Sequence, residues 1–415
     1  MLVKYINDNA ISNKYFNATS CSNLEFEQSK MYKGRTYLLL GNFEKTYSSK
    51  RRFEIGIRAI FKTLFSVGFG LFFETVREDW KSFWNGRKNK VIYSSSPFLA
   101  TKILVKQGNA TTQYKLGVMY LEGKGTIQSD QKAAKYFQLA ADQGYASAQY
   151  ILGTLYAHGE GVPQSYQKSF EYFQLAANQN HADAQNNLGL LYANGWGIAQ
   201  SDQEAVKYYQ LAAKQGNASA QCRLGDLYVH GRGVPQSYQK SFEYFQLAAK
   251  QGNASAQCKL GAMYAEGVGV PQSDQEAVEY FQLAVDQNHA GAQYCLGVFY
   301  AHGRGVTQSH QKALEYCQLA ADQGDATAQY SLGLMYAKGL GVPKSDQEAV
   351  KYYQLAANQN HTIAQRNLGL MYKNGQGVAQ SDQEAVKYFQ LAANQGDLIA
   401  QQNLKVMNEN GQNVT

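Results

Sequence analysis

Ser-x-x-Lys occurs four times in the chain, and penicillin-binding enzymes carry a nucleophilic serine in this spacing. The four pairs are Ser129 with Lys132, Ser165 with Lys168, Ser237 with Lys240, and Ser309 with Lys312. No Ser-Asp-Asn or Lys-Thr-Gly companion follows, and other copies of the motif carry Glu in place of Lys. We therefore interpret each serine as the N-cap of a helix. No catalytic residue is predicted, and we expect that the protein is not an enzyme.

Histidine and cysteine, the common metal ligands, recur at fixed sequence intervals. His158, His230 and His302 are spaced by 72 residues, and Cys222 and Cys258 by 36. Duplication explains such recurrence better than metal binding, which needs ligands that converge on one point. No cysteine pair is repeated from unit to unit, so we predict reduced thiols in a cytoplasm-like compartment. The Gly-x-Gly loops follow helices rather than strands and do not indicate a nucleotide. We predict no metal and no cofactor.

The 36-residue interval extends over most of the chain. A Leu-Gly pair marks every copy: Leu116-Gly117, Leu152-Gly153, Leu188-Gly189, Leu224-Gly225, Leu260-Gly261, Leu296-Gly297, Leu332-Gly333 and Leu368-Gly369. A period of this size is typical of a solenoid, in which each unit buries its apolar face only by stacking on its neighbours.

Two antiparallel helices are predicted for each unit. In the copy at 182–216, apolar residues at helical spacing indicate a first helix that stops at the glycines of Asn-Gly-Trp-Gly. The second helix begins at Ser201, and Glu204 three residues later predicts a capping box. Only Gly or Asn ends this helix in any copy, as a left-handed C-cap requires. The glycine of Leu-Gly is predicted to let the aromatic pair of the second helix approach closely.

These motifs resemble those of the Sel-one-like repeat family, which is related to tetratricopeptide repeats. The resemblance is carried by A-x-A-Q-x-x-L-G-x-x-Y-x-x-G-x-G-V, as at 254–270, and by D-Q-E-A-V-x-Y-F-Q-L-A after it. It implies an all-α, right-handed superhelical solenoid whose first helices line a concave groove. The predicted organisation is a basic N-terminal region (1–96), a solenoid (97–408) with eight full units at about 109–396 between half-unit caps, and a polar tail (409–415).

Charge is concentrated in the N-terminal region. Residues 1–100 carry 16 Lys/Arg and 8 Asp/Glu, whereas the remainder carries 23 and 24, so we expect no nucleic-acid binding by the solenoid. Phe61, Phe65, Phe69 and Phe73 form one stripe of an amphipathic helix predicted near 57–84, with cationic flanks and two tryptophans within 53–90. One interpretation is peripheral contact with an anionic membrane, and the other is packing on the first repeat or on a partner. No secretory signal is present at Met1, so we expect a cytoplasmic protein, with peripheral attachment or export into a host cell as alternatives.

Some first-helix positions differ from unit to unit, which is the pattern of residues that recognise a partner. We predict that a protein or peptide binds there, and that the protein is a monomeric interaction scaffold. Alternatives are a membrane-tethered bacterial effector and an enzyme-activating module; free drift at solvated positions would also produce the variation. Trp196 is a predicted anchor because the residues at its loop position in other units include Lys124, Glu160, Arg232 and Gln376. The predicted partner-binding residues are Tyr114, Tyr150, His158, Asn186, Trp196, His230, Tyr294, Tyr330 and Arg366.

Overall fold

The structure is a computed structural model that describes residues 2–5, 30–32, 35–44, 87–94, 98, 101, 102, 105 and 108–409. Contacts divide the chain into a first body, Met1–Ser201, and a second body, Asp202–Thr415. The amphipathic helix predicted near 57–84 lies outside the described residues, as do residues 410–415 of the polar tail predicted at 409–415.

Four strands lie in the described part of the basic N-terminal region. They are β1 (Leu2–Tyr5), β2 (Lys30–Tyr32), β3 (Arg35–Glu44) and β4 (Arg87–Ser94). They form an antiparallel sheet in the order β1-β4-β3-β2, with a register shift between Leu39 and Asn42 of β3. The sequence analysis did not predict these strands, and β4 includes the last residues of the 53–90 segment.

Seventeen helices follow the sheet in the described chain. The first body contains α1 (Ala110–Glu122), α2 (Asp130–Ala141), α3 (Ala146–His158), α4 (Tyr166–Ala177) and α5 (Ala182–Asn194). The second body begins with α6 (Asp202–Lys214), α7 (Ala218–His230), α8 (Tyr238–Lys250), α9 (Ala254–Glu266), α10 (Asp274–Val285) and α11 (Ala290–His302). It continues with α12 (His310–Asp322), α13 (Ala326–Lys338), α14 (Asp346–Asn358), α15 (Thr362–Asn374), α16 (Asp382–Asn394) and α17 (Leu398–Glu409). The predicted all-α architecture of paired helices is confirmed for residues 108–409.

Helix ends follow the predicted residues. Ser165 Oγ accepts a hydrogen bond from Lys168 N at 3.3 Å, and the other described serine N-caps do the same, which confirms the interpretation of Ser-x-x-Lys. Asn180, Asn288 and Asn360 have positive φ at the ends of second helices, as predicted. The capping box is only half formed, because the backbone N–H of Ser273 donates to Tyr264 O and not to Glu276. The backbone carbonyl of Tyr264 is therefore the hydrogen-bond acceptor in place of the Glu276 carboxylate.

The glycine of Leu-Gly lies against the second helix of its own unit. A Cβ built on Gly261 would lie 2.6 Å from Phe281 Cδ1 and 3.1 Å from Ala277 O. Gly117 and Gly369 face Phe137 and Phe389 at 2.7 Å in the same way. These phenylalanines are fully buried, so the ring has no free space into which it could retreat. The predicted close approach of glycine and aromatic ring is confirmed.

A buried glutamine joins each unit to the preceding one. Gln257 Nε2 on α9 donates to Ala249 O at the end of α8, and Gln257 Oε1 accepts from Gln287 Nε2 at 2.7 Å. Equivalent bonds recur along both bodies, for example from Gln149 to Ala141 O and from Gln365 to Ala357 O. Buried polar groups are costly unless they are hydrogen-bonded, and these bonds explain why glutamine occupies this position in every unit.

The ends of the helical region pack on their neighbours. Phe98 makes an edge-to-face contact with Tyr120 on α1. At the other end α17 packs on α16 with Ala400 and Met407 fully buried, while Lys405 and Asn408 are exposed.

Candidate functional site

Most of the varied first-helix residues lie in seams, by which we mean the contacts between the first helix of one unit and the start of the next unit. Tyr114, Tyr150, Tyr294, Tyr330 and Arg366 are half-buried, and Asn186 is buried. Each of the contacts that follow pairs such a residue with the N-cap residue of the next unit, 31 positions later. Tyr150 stacks on His181 and Tyr330 on His361, both with ring centroids 4.8 Å apart. Tyr114 packs on Tyr145 at 5.1 Å, and Arg366 Nη1 forms a 2.8 Å ion pair with Asp397 Oδ2.

This pairing supplies a physical reason for the sequence variation. A phenol or an imidazole lies opposite the rings of Tyr114, Tyr150 and Tyr330, and a carboxylate lies opposite Arg366. Tyr294 departs from this pattern, because the cap residue 31 positions after it is Asp325. Burial raises the pKa of the Tyr114, Tyr150 and Tyr294 phenols, so these side chains stay neutral in the seam at physiological pH. At four of these positions the type of the first-helix residue thus matches the type of the N-cap residue 31 positions later. Recognition of a partner by these residues stays a prediction.

The histidine caps make stability depend on pH. His181 Nδ1 accepts from Ala184 N at 3.4 Å and His361 Nδ1 accepts from Ala364 N at 3.2 Å. Burial lowers the pKa of both imidazoles. Since the folded pKa lies below the unfolded value of about 6.5, unfolded chains bind more protons in between, and stability falls as pH falls through that window. We expect a larger drop in Tm between pH 7.5 and 5.5 for wild type than for His181→Asn/His361→Asn, in which asparagine caps as Asn217 does. Equal drops would contradict this account.

Two of the predicted residues are exposed at the ends of first helices. His158 and His230 occupy the last residue of α3 and α7, where Nδ1 lies 2.9 and 2.8 Å from the backbone oxygens of Thr154 and Asp226. These bonds fix each ring on its own helix and leave the rest of the imidazole toward solvent.

Trp196 lies in the loop after α5 and contacts the preceding second helix. Its indole stacks on Tyr166, the first residue of α4, with ring centroids 5.4 Å apart, and it remains 41% exposed. The next residue, Gly197, has φ +71° and lies against the backbone carbonyl group of Tyr166, where a Cβ would clash. The loop is therefore held on the start of α4, and the indole is positioned by packing.

Tyr166 and Trp196 are 30 residues apart, and in other units different residue types make contact across the same interval. Arg232 pairs with Asp202 at 2.8 Å, and Arg304 pairs with Asp274 at 2.6 Å. Among these three pairs, only Tyr166–Trp196 presents an aromatic surface, so this seam differs chemically from the other two.

A pocket of about 300 Å³ opens beside Trp196 in the first body. Its walls come from α3, α4, α5 and the loops that follow α3 and α5. The lining residues are Thr154, Ala157, His158, Gln164, Tyr166, Phe173, Asn187, Leu190, Leu191 and Trp196. The structure thus brings His158 and Trp196 together, and Tyr150 lies on the same helix as His158. Tyr150 and the remaining six predicted residues do not line this pocket.

Chemically, the pocket is apolar with a polar rim. Its volume lies at the lower end of the range of about 300–1,000 Å³ that is typical of ligand pockets, which suits one large side chain better than a cofactor. Among the described residues, no group of three or more His, Cys, Asp or Glu could hold a metal ion. No helix in the described part of the chain is long and apolar enough to cross a membrane.

Comparison with known proteins identifies the class of this repeat. The family model of the Sel1 repeat matches eight consecutive segments: 110–145, 146–181, 182–217, 218–253, 254–289, 290–325, 326–361 and 362–397. The chain therefore belongs to the Sel1 repeat family, as its motifs predicted. Repeats of this family generally serve as protein-interaction scaffolds.

Two solved structures are similar in both sequence and fold. One is c5321, a protective antigen present in uropathogenic Escherichia coli strains that displays an SLR fold; it is 34% identical, with 75% of this chain and 67% of that chain covered and a TM-score of 0.62. The other is a Sel1 repeat protein from Oxalobacter formigenes, 30% identical, with 59% of this chain and 96% of that chain covered and a TM-score of 0.55. No curated protein matches the chain significantly.

Proposed function

We propose that this scaffold binds an extended segment of a partner protein along its first-helix surface, with the pocket beside Trp196 as the anchor point. The observation that carries the proposal is the exposed indole that is already held in place by Tyr166 and Gly197. A side chain ordered before binding loses little conformational entropy when a partner arrives, which favours affinity.

The chemistry of the pocket defines the partner. Leu190, Leu191 and Phe173 supply an apolar floor, while His158 and Asn187 supply hydrogen-bonding groups at the rim. An apolar or aromatic side chain fits the floor, and the flanking backbone of an extended peptide can use the rim. Aromatic anchors in well-packed pockets carry much of the binding energy at protein interfaces.

Fluorescence of Trp196 tests this assignment directly. The chain has three tryptophans, so Trp80→Phe and Trp84→Phe leave Trp196 as the only indole. Peptides selected from a random display library on the full chain are then titrated into this variant. We expect a saturable change in Trp196 emission and enrichment of aromatic or large aliphatic residues. Selected peptides that bind without changing the emission would contradict the proposal.

Membrane attachment through residues 53–90 is a separate proposal that rests on the phenylalanine stripe and its cationic flanks. Apolar insertion and electrostatic attraction would act together on an anionic surface, and salt would screen the second of them. We expect the full chain to sediment with phosphatidylserine vesicles at low salt, less so at high salt, and Phe65→Asp/Phe69→Asp to stay in the supernatant. Wild type that remains in the supernatant would support a packing helix instead.

A further inference from the structure

Three reactive groups meet at one seam of the second body. Cys258 on α9 occupies the first-helix position at which Tyr150 and Tyr330 lie in their own units, and His289 is the N-cap residue 31 positions later. The offset that stacks tyrosine on imidazole at two other seams therefore places a thiol beside an imidazole here. Cys295, on α11, is the third group, and its thiol is hydrogen-bonded to Cys258.

The capping role of His289 sets which nitrogen can donate. His289 Nδ1 accepts a hydrogen bond from Ala292 N at 3.2 Å, so the neutral ring carries its proton on Nε2. Nε2 lies 3.4 Å from Ser255 Oγ, which is on the same helix as Cys258 and one turn before it. The imidazole also hydrogen-bonds to the Cys258 thiol, so it is a donor to the sulfur when that sulfur is ionised.

A missing side chain opens this seam. Position 291 is glycine, whereas the other units carry Thr111, Ser147, Asp183, Ser219, Ser255, Thr327 and Ile363. A Cβ on Gly291 would lie 3.8 Å from Cys258 Sγ and 3.3 Å from His289 Cε1. Without that atom nothing from position 291 covers the sulfur, and both Cys258 and Cys295 are half-buried rather than enclosed.

The electrostatic environment favours the Cys258 thiolate. The hydrogen bond from Cys295 lowers the pKa of the Cys258 thiol, against the effect of burial, with further lowering by His289 and Lys259. The pKa of Cys295 is raised, chiefly by the proton that it shares with Cys258, then by burial and by the carboxylates of Asp325 and Glu266. Cys222 shows the contrast at the same repeat position, since burial raises its pKa to about 11.

We propose that Cys258 is a nucleophilic thiol that low-molecular-weight disulfides oxidise, with Cys295 as the resolving thiol. In the first step the Cys258 thiolate attacks one sulfur of the disulfide RSSR, a mixed disulfide forms, and RS⁻ leaves and takes a proton from water. Once the mixed disulfide has formed, the Cys258 thiolate no longer accepts the hydrogen bond that kept the proton on Cys295. Cys295 loses its proton to solvent and attacks Cys258 Sγ, which expels the second RS⁻. Overall, two protein thiols and RSSR give one protein disulfide between α9 and α11 and two RSH.

Site-resolved alkylation tests the nucleophile. The full chain is treated with limiting iodoacetamide at pH 7, and each cysteine is quantified by mass spectrometry over time. We expect Cys258 to react at least tenfold faster than Cys222 and Cys317, and His289→Asn to slow Cys258 several-fold. Asparagine is the matched replacement because Asn253 caps the helix that faces Cys222, and circular dichroism confirms retained helix. Equal rates at Cys222 and Cys258, or no effect of His289→Asn, would overturn the proposal.

Oxidation tests the resolving thiol. With glutathione disulfide, wild type is expected to give a peptide linked through Cys258 and Cys295 and to release two equivalents of glutathione. Cys295→Ser should stop at a glutathione adduct on Cys258 with one equivalent released. A wild-type chain that stops at the same adduct would show that Cys295 does not resolve the mixed disulfide.

Discussion

Gly261→Leu is expected to lower the free energy of unfolding by about 1–3 kcal/mol, the range for overpacking of a filled core. The leucine side chain would start at a Cβ only 2.6 Å from the buried ring of Phe281, with Ala277 O at 3.1 Å behind it. Either the ring must leave its position or α9 must move away from α10. Both changes disrupt the packing of the whole unit.

Val268→Leu is the control for this substitution. It introduces the same residue into the loop after α9, at the repeat position where Leu340 occurs naturally. We expect the control to change the urea midpoint little, and Gly261→Leu to lower it clearly. Equal midpoints for the two variants would remove the packing explanation of the Leu-Gly motif.

Trp196→Ala is expected to weaken binding of the selected peptides about 30-fold, since truncation of an aromatic anchor costs about 2 kcal/mol or more. The indole forms one wall of the pocket, and without it the apolar floor becomes open to water. Titration of labelled peptide by fluorescence anisotropy gives the ratio of dissociation constants. His158→Ala, at the rim of the same pocket, is expected to have a smaller effect because its ring is solvent-exposed.

Local sequence rules were sufficient to predict the repeat. The 36-residue period, the serine caps and the Gly or Asn helix ends each express short-range backbone chemistry, and residues such as Asn180 and Asn288 adopt the predicted positive φ. The Leu-Gly contact with Phe281 was also predictable, because an aromatic residue recurs at this second-helix position in every unit except that of Cys317, and glycine with an aromatic residue is a pairwise signal within one unit. The four strands β1 to β4 were not predicted, since β1 and β4 pair across more than 80 residues of chain and no local pattern specifies that contact.

The partner-binding residues were harder to predict because variation has two causes. Tyr150 and Arg366 vary with the cap residue of the next unit, and only a comparison of the two positions 31 residues apart could have shown it. The same comparison at an offset of 30 would have joined Tyr166 to Trp196 and Asp202 to Arg232. The pocket itself depends on how three helices and two loops converge, and the residue types at any single repeat position do not reveal that convergence.

The double substitution Tyr166→Asp/Trp196→Arg tests the central claim most directly. It replaces the aromatic pair with the ion pair found at Asp202–Arg232 and Asp274–Arg304, so the loop stays attached to the start of α4 by a contact that this fold already uses. An exposed ion pair contributes about 0–1 kcal/mol and an aromatic pair about 0.5–1.5 kcal/mol, so Tm should change little. The account predicts an unchanged Tm together with loss of peptide binding. A double variant that binds the selected peptides as tightly as wild type would contradict it.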